Sequence, residues 1–152
     1  MSDELQALEE WAGVLLDRIE PRARRTLAKT IAQQLRRGQQ QRIQKQRNPD
    51  GTPYSPRKKR DLRGKKGRVK RKVGMFQKVR TATYLRAKGD SNTISAGFTG
   101  RIARIARVHQ YGLKDRAGRG APDARYEQRE LVGFTDDDLA LIRDKLLDHL
   151  TQ

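Results

Sequence analysis

Thr81-Ala82-Thr83-Tyr84-Leu85-Arg86-Ala87-Lys88-Gly89-Asp90-Ser91-Asn92-Thr93-Ile94-Ser95-Ala96-Gly97-Phe98 decides the fold of this chain. Thr, Tyr and Leu before the break, and Ile, Ala and Phe after it, suit a pleated surface. The break, Lys88-Gly89-Asp90-Ser91, has turn chemistry, so the stretch predicts an antiparallel hairpin with strands over 81–87 and 92–98. Ile94, Ala96 and Phe98 alternate with polar or tiny residues, which predicts one buried face. A short helix is expected next, over 100–110, capped by Thr99 and stopped by Gly112. Its apolar face would be Ile102, Ile105, Ala106 and His109, with Val108 beside it.

On the N-terminal side two helices are expected. Leu5, Leu8, Ala12, Leu15, Leu16 and Ile19 recur at helical spacing, Ser2 is a candidate cap, and Asp3 and Glu4 suit the positive end of a helix dipole. Trp11 lies on or beside that stripe and reads as a packing anchor. Pro21 ends the first helix and opens a second to about residue 46. Ala23, Leu27, Ile31 and Leu35 give it a narrow stripe, suited to packing along one line, against a neighbouring subunit for instance. Asn48-Pro49-Asp50-Gly51-Thr52-Pro53 is a turn cluster. Residues 57–73 hold only Leu62, Val69 and Val73 as apolar groups and read as a mobile basic insertion.

Beyond the short helix, 113–123 reads as a Gly-rich loop and 124–131 as a further short strand. Thr135-Asp136-Asp137-Asp138 starts a last helix whose apolar face is Leu139, Ile142, Leu146 and Leu150. The fold class is therefore α+β: two N-terminal helices, a central antiparallel hairpin or small sheet with a short helix, a C-terminal helix and a long basic loop. Residues 1–152 are expected to form one domain, with the basic insertion at about 57–73.

The charge lies in blocks. Residues 1–20 hold six acids and one base, residues 21–48 nine bases and no acid, and residues 57–80 thirteen bases and one acid. Residues 135–152 return to a net −3, and the whole chain carries +17. Separate patches of opposite sign allow copies to attract one another head to tail; the bland reading is solvated helix faces. Arg57, Lys58, Lys59, Arg60, Lys65, Lys66, Arg68, Lys70, Arg71 and Lys72 are the candidate contacts to DNA or to an adjoining ring. Phe76 alone interrupts the basic tract as an aromatic, so base stacking is not indicated. Arg101, Arg104 and Arg107 follow an i, i+3, i+6 course and are candidate subunit contacts.

Catalytic chemistry is sparse. The chain has no cysteine, which excludes disulfide staples, a thiolate zinc site and a cysteine nucleophile. The two histidines, His109 and His149, have no metal-ligand spacing and read as structural. Gly64-Lys65-Lys66-Gly67 follows no strand and lacks the Ser or Thr of a P-loop. No enzyme activity and no cofactor are expected. No apolar run approaches the roughly 18 residues of a membrane span. The acidic start, Met1-Ser2-Asp3-Glu4, lacks the plan of a signal peptide, so a soluble protein of a reducing compartment is expected.

Four segments in order carry a resemblance. Pro49-Asp50-Gly51-Thr52-Pro53-Tyr54 precedes the basic tract, and Met75-Phe76 leads into the hairpin ending Ser95-Ala96-Gly97-Phe98. Ala106-Arg107-Val108-His109-Gln110-Tyr111-Gly112 follows, then Arg129-Glu130-Leu131-Val132-Gly133-Phe134-Thr135. This series resembles the phage virion morphogenesis family, the tail completion proteins of contractile-tailed bacteriophages, over nearly the whole chain. The chain departs from that pattern at residues 121–129, where the family tends to have a more compact segment. The resemblance implies a non-enzymatic virion protein at the head-proximal end of the tail, made in the host cytoplasm and acting late, in tail completion and head–tail joining. It implies a ring of copies, commonly six, with neck and tail neighbours such as a tail terminator or tube and a head-completion protein, non-specific DNA contact, and no membrane. The alternative is a small basic nucleic-acid-binding protein of ribosomal or chromatin type, which the basic tract favours and the acidic ends oppose.

Overall fold

The hairpin forms, but its turn lies further along the chain than expected. In the computed structural model, which describes residues 2–58 and 74–151, strand β1 spans Leu85–Gly89 and β2 spans Ile94–Phe98. They pair antiparallel, Leu85 opposite Phe98 and Gly89 opposite Ile94. Asp90 moves the turn: its carboxylate accepts from the Asn92 and Thr93 backbone N–H groups at 2.7 and 2.8 Å and from the Thr93 hydroxyl at 2.9 Å. Those bonds hold the Asp90 carboxyl below its ordinary range. Residues 81–84 are a turn instead of strand, closed by the Leu85 N–H on the Thr81 carbonyl.

Helix α2, Pro21–Gln44, lies across both strands and along the C-terminal helix α4, Asp136–Leu150. This explains Gly89. A Cβ there would stand 2.5 Å from the carbonyl carbon of Ala28, so the glycine is a packing residue that lets the helix backbone touch the sheet. The buried stripe of α2 is Ala28, Ile31, Ala32, Leu35, Gln39 and Ile43. Ala23 and Leu27 are only half-buried. The stripe is therefore covered within the chain, by the hairpin and α4, rather than left for a neighbour.

Helix α1, Ser2–Leu16, packs on α4 through Leu8 and Ala12. Trp11 is 36 % exposed and is not the packing anchor that its place on or beside the stripe predicts. On α4, Thr135 and Asp138 form a capping box, Leu139 and Leu146 are buried, and Leu150 is exposed.

Helix α3, Arg101–Tyr111, starts from Gly100 at φ 68°, without a side-chain cap. Thr99 does not cap it: the helix starts at Arg101, so Gly100 takes the cap position, and the Thr99 N–H extends the hairpin by bonding the Tyr84 carbonyl at 3.0 Å. Gly112, left-handed at φ 62°, ends the helix as expected. Ala106 and Val108 face inward while Ile105 is 43 % exposed, so Val108 and not Ile105 supplies the apolar contact. Ile94 is likewise exposed, at the hairpin end where its opposite number is a glycine.

A second two-stranded ribbon occupies the region expected to be a loop and a longer strand. β3, Lys114–Arg116, pairs antiparallel with β4, Asp123–Arg125. From residue 126 to 135 the chain runs without regular structure. The core between these elements is Ile43, Tyr54, Leu85, Ala106 and Leu131, edged by Met75, Phe76, Val79, Phe98 and Val132.

Candidate nucleic-acid and subunit interface

The irregular segment 129–135 owes its position to side chains from four directions. Gln110, at the end of α3, accepts from the Leu131 and Val132 N–H groups at 2.8 and 3.0 Å and donates to the Val132 carbonyl at 2.9 Å. Arg42 on α2 donates to the Glu130 and Leu131 carbonyls, both at 3.0 Å. Gln39, one turn earlier, donates to the Gly133 carbonyl at 2.9 Å and to the Asp138 carboxylate at 3.3 Å. Asn48 accepts from the Glu130 N–H at 2.9 Å, and the Tyr54 hydroxyl donates to the Glu130 carbonyl at 3.1 Å. The segment thus pairs with side chains where a strand would pair with a ladder. Burial pushes the Tyr54 hydroxyl up to about 12 and pulls Arg42 below its ordinary value.

A second group of bonds fixes both roots of the basic tract. Arg129, 4 % exposed, donates from Nε to the Ser55 carbonyl at 2.7 Å and from Nη2 to the Pro56 carbonyl at 2.9 Å. Gln46 holds the other root: its amide accepts from the Met75 N–H at 2.8 Å and donates to the Met75 carbonyl at 2.9 Å. Gln46 and Phe76 sit at φ 58° and 65°, left-handed conformations that the surrounding bonds and packing must enforce. Tyr54, Phe76, His109 and Tyr126 meet edge to face in succession, with centroids 5.9, 4.8 and 5.0 Å apart. Burial, with the Arg129 charge adding to it, lowers His109 to about 4, so its ring is neutral at pH 7.

Of the expected polyanion contacts, Arg57 and Lys58 are exposed at the first root. Arg57 also lies near enough to Arg129 for its charge to help, after burial, to lower the Arg129 value. Lys58 donates from Nζ to the Arg125 carbonyl at 2.9 Å, which ties the root to β4. Lys59, Arg60, Lys65, Lys66, Arg68, Lys70, Arg71 and Lys72 lie outside the described residues. Arg101, Arg104 and Arg107 are all exposed on α3, but Arg104 is engaged in an ion pair with Asp115 of β3. Arg101 and Arg107 have no ion-pair partner among the described residues.

That ion pair orients the ribbon. Asp115 points toward α3, so Lys114 and Arg116 take the opposite face of β3. Register sets Arg125 across from Lys114, and Asp123 across from Arg116. Asp123 is taken by Arg116 at 2.8 Å. Lys114 and Arg125 are left as like charges side by side. Reading the sequence missed both the ribbon and the clamp. The ribbon's signal was the alternation Lys114-Asp115-Arg116; the clamp's was polar residues Gln39, Arg42 and Gln110 inside segments that otherwise read as apolar stripes.

Among the described residues no three His, Asp or Glu side chains gather as metal ligands, and no helix is long and apolar enough to cross a membrane. No solved structure matches the chain. Escherichia phage P2 has a relative, tail completion protein S, 38 % identical over 149 residues, which is 97 % of this chain and 98 % of that one. The model of the phage virion morphogenesis family matches residues 3–151. With a match across nearly its whole length, the chain belongs to the phage virion morphogenesis family.

Proposed function

We propose that this chain is a non-enzymatic tail completion protein that acts late in the assembly of a contractile-tailed phage, at the head-proximal end of the tail where the tail becomes competent to join the head. The observation that carries this reading is the similarity to tail completion protein S of phage P2 over almost the full length of both chains. The protein works as one domain and as a closed ring of copies, with neck and tail proteins above and below it. Its place is the virion, and the host cytoplasm during assembly.

The distribution of charge supports assembly through complementary surfaces. Helices α1 and α4 pack together and carry Asp3, Glu4, Glu9, Glu10, Asp136, Asp137, Asp144 and Asp148 on their exposed sides. Exposed Trp11, Val14 and Leu147 lie on the same pair of helices. Arg101 and Arg107 of α3, with exposed Ile105 and Tyr111, offer the opposite sign and further apolar surface. An acidic layer of one copy on the α3 face of the next gives attraction and a fixed sense of rotation. The cations between Arg57 and Lys72 supply the charge for contact with DNA in the channel or with the adjoining ring.

The test is the solution mass of the purified chain by light scattering, at low and high salt, with and without nuclease. The expected result is a discrete oligomer that persists, free of nucleic acid, after nuclease treatment and at high salt, about six copies for a closed ring of this kind. The other reading, a basic nucleic-acid-binding module, is favoured by the pI of about 10.9. It predicts a monomer that carries nucleic acid at low salt and sheds it at high salt, and that result would overturn the assembly role.

A further inference from the structure

We propose that the outer face of the β3–β4 ribbon is a contact surface for the phosphates of duplex DNA, with Lys114 and Arg125 as its principal cations. The assignment rests on the DNA-facing part of the role proposed above and gives it a place on the fold.

Three features of the ribbon carry it. The first is the register. Lys114 and Arg125 are directly opposed across an antiparallel pair, both exposed, and no acid among the described residues separates them. Like charges in that position are destabilising in isolation, and an anion bound between them removes the penalty. The second is the pinned position. Asp115 fixes one face of the ribbon to Arg104 on α3, and Lys58 Nζ on the Arg125 carbonyl brings a third cation to the same edge. The third is composition. Between Lys114 and Arg125 the apolar residues are Ala117, Ala121, Pro122 and Ala124, none of them the large aromatic or aliphatic anchor that a protein interface is built around. Arg119 adds a further exposed cation in the connection between the strands.

A two-stranded ribbon is also the right width for the major groove, and cations on one face can follow a phosphate backbone without reading sequence. The one carboxylate on that face, Asp123, is paired with Arg116, and none of its strand residues is aromatic. The contact is therefore electrostatic, and its signature is salt dependence. Each phosphate contact contributes about −0.9 to the slope of log K against log salt. Replacing Lys114 and Arg125 by glutamine together removes two contacts and flattens the slope by about 1.8. Over a fourfold range, about 50 to 200 mM salt, the fall in affinity becomes about 12-fold smaller.

The experiment uses the full chain and a random-sequence duplex, with binding followed by fluorescence anisotropy over that salt range. The K114Q/R125Q double variant should show the flatter slope. A double variant with the same net charge, R18Q/R22Q, altered at exposed sites at the end of α1 and the start of α2, should keep the original slope. R125K, which keeps the cation, should also keep it. An unchanged slope in K114Q/R125Q, with its far-UV circular dichroism intact, overturns the ribbon assignment and leaves DNA contact by the basic tract standing. An equal flattening in R18Q/R22Q overturns it as well, since net charge alone would then be responsible. No binding by the unmodified chain removes both the ribbon assignment and the DNA-facing part of the proposed role. Should K114Q/R125Q fail to fold, K114Q alone is expected to flatten the slope by about 0.9, and an unchanged slope there has the same meaning.

Discussion

Replacing Gln110 by alanine should cost this protein more than any other substitution of an uncharged polar residue on α3. The Gln110 side chain satisfies three backbone groups, the Leu131 and Val132 N–H and the Val132 carbonyl. Leu131 is 0 % exposed, so its N–H has no ready access to water once the amide is gone. A buried polar group left without a partner costs about 1–3 kcal/mol. Val132 is half-buried, and water entering the vacated space can serve part of its need. The net expectation is a loss of about 3 kcal/mol, a drop in Tm of roughly 6–12 °C for a chain of this size. The assay is thermal unfolding by circular dichroism, with urea titration as a second measure. Gln110→Glu separates the two halves of the interaction: a carboxylate still accepts from both N–H groups but cannot donate to the Val132 carbonyl. Its second oxygen then faces the Val132 carbonyl, acceptor against acceptor, so Gln110→Glu should lose at least as much as Gln110→Ala at neutral pH and less where acid protonates the carboxyl and restores a donor. A Q110A protein within about 2 °C of the parent would show that segment 129–135 is held by its apolar contacts and that the clamp is incidental.

Gly89→Ala places a Cβ 2.5 Å from the Ala28 carbonyl carbon and must push α2 off the hairpin; a loss of about 1–3 kcal/mol in urea titration is expected, and none would contradict the close approach. Leu146, 2 % exposed on α4, should not tolerate Asp, because an unpaired charge in the stripe facing α1 and α2 is strongly unfavourable; Leu146→Asp should be insoluble or unfolded, and a soluble variant with unchanged Tm would refute that packing. His109 should make the fold acid-sensitive. Its value is about 4 in the folded chain against the ordinary 6.5, so the unfolded chain takes up a proton first. Stability from this group is full above pH 6.5 and is lost as pH falls from 6.5 toward 4. His109→Phe, which keeps a ring between Phe76 and Tyr126, should flatten that part of the Tm-against-pH curve; an identical curve would place the acid sensitivity elsewhere.

The elements were legible where one local signal dominated. The acidic helix start at Thr135, Gly112 as a helix stop and Pro21 as a helix opener each act within a few residues, and each forms as read. The failures occur where a residue answers to something distant in sequence. Gly89 reads as a turn residue but serves the backbone of Ala28, and Thr99 reads as a cap but is held by the hairpin through the Tyr84 carbonyl. Ile105 and Trp11 fall on or beside the expected apolar stripes and are nonetheless exposed, because periodicity gives a face without giving the width of what covers it. The candidate contacts Arg101, Arg104 and Arg107 do lie on the outer side of α3, yet only the structure shows Arg104 committed to Asp115. The β3–β4 ribbon was illegible for a related reason: three residues per strand are too few for alternation to stand out from a Gly-rich background.

The clamp fixes the apolar cluster it surrounds. Its five buried residues, Ile43, Tyr54, Leu85, Ala106 and Leu131, come from five different parts of the chain, and hydrophobic contact alone would let those parts slide. Gln39, Arg42, Asn48 and Gln110 remove that freedom, because each bond to residues 130–133 is satisfied in one register. A polar network of this kind adds less stability than an apolar one of the same size but admits fewer alternatives. Its position matters for the exterior. Gln110 ends the helix that carries Arg101, Arg104 and Arg107; Arg129, at the start of the clamped segment, pins the root that carries Arg57 and Lys58; and Lys58 in turn holds β4. The partly buried bonds of the clamp therefore position the cations of α3 and of the tract's first root, and the exposed Lys58 contact links that root to the ribbon. For a surface that must meet an extended polyanion, or the acidic layer of another copy, fixed spacing lowers the ordering cost of contact. A strong effect of Gln110→Ala on DNA salt dependence at temperatures where the variant is still folded would connect the two directly.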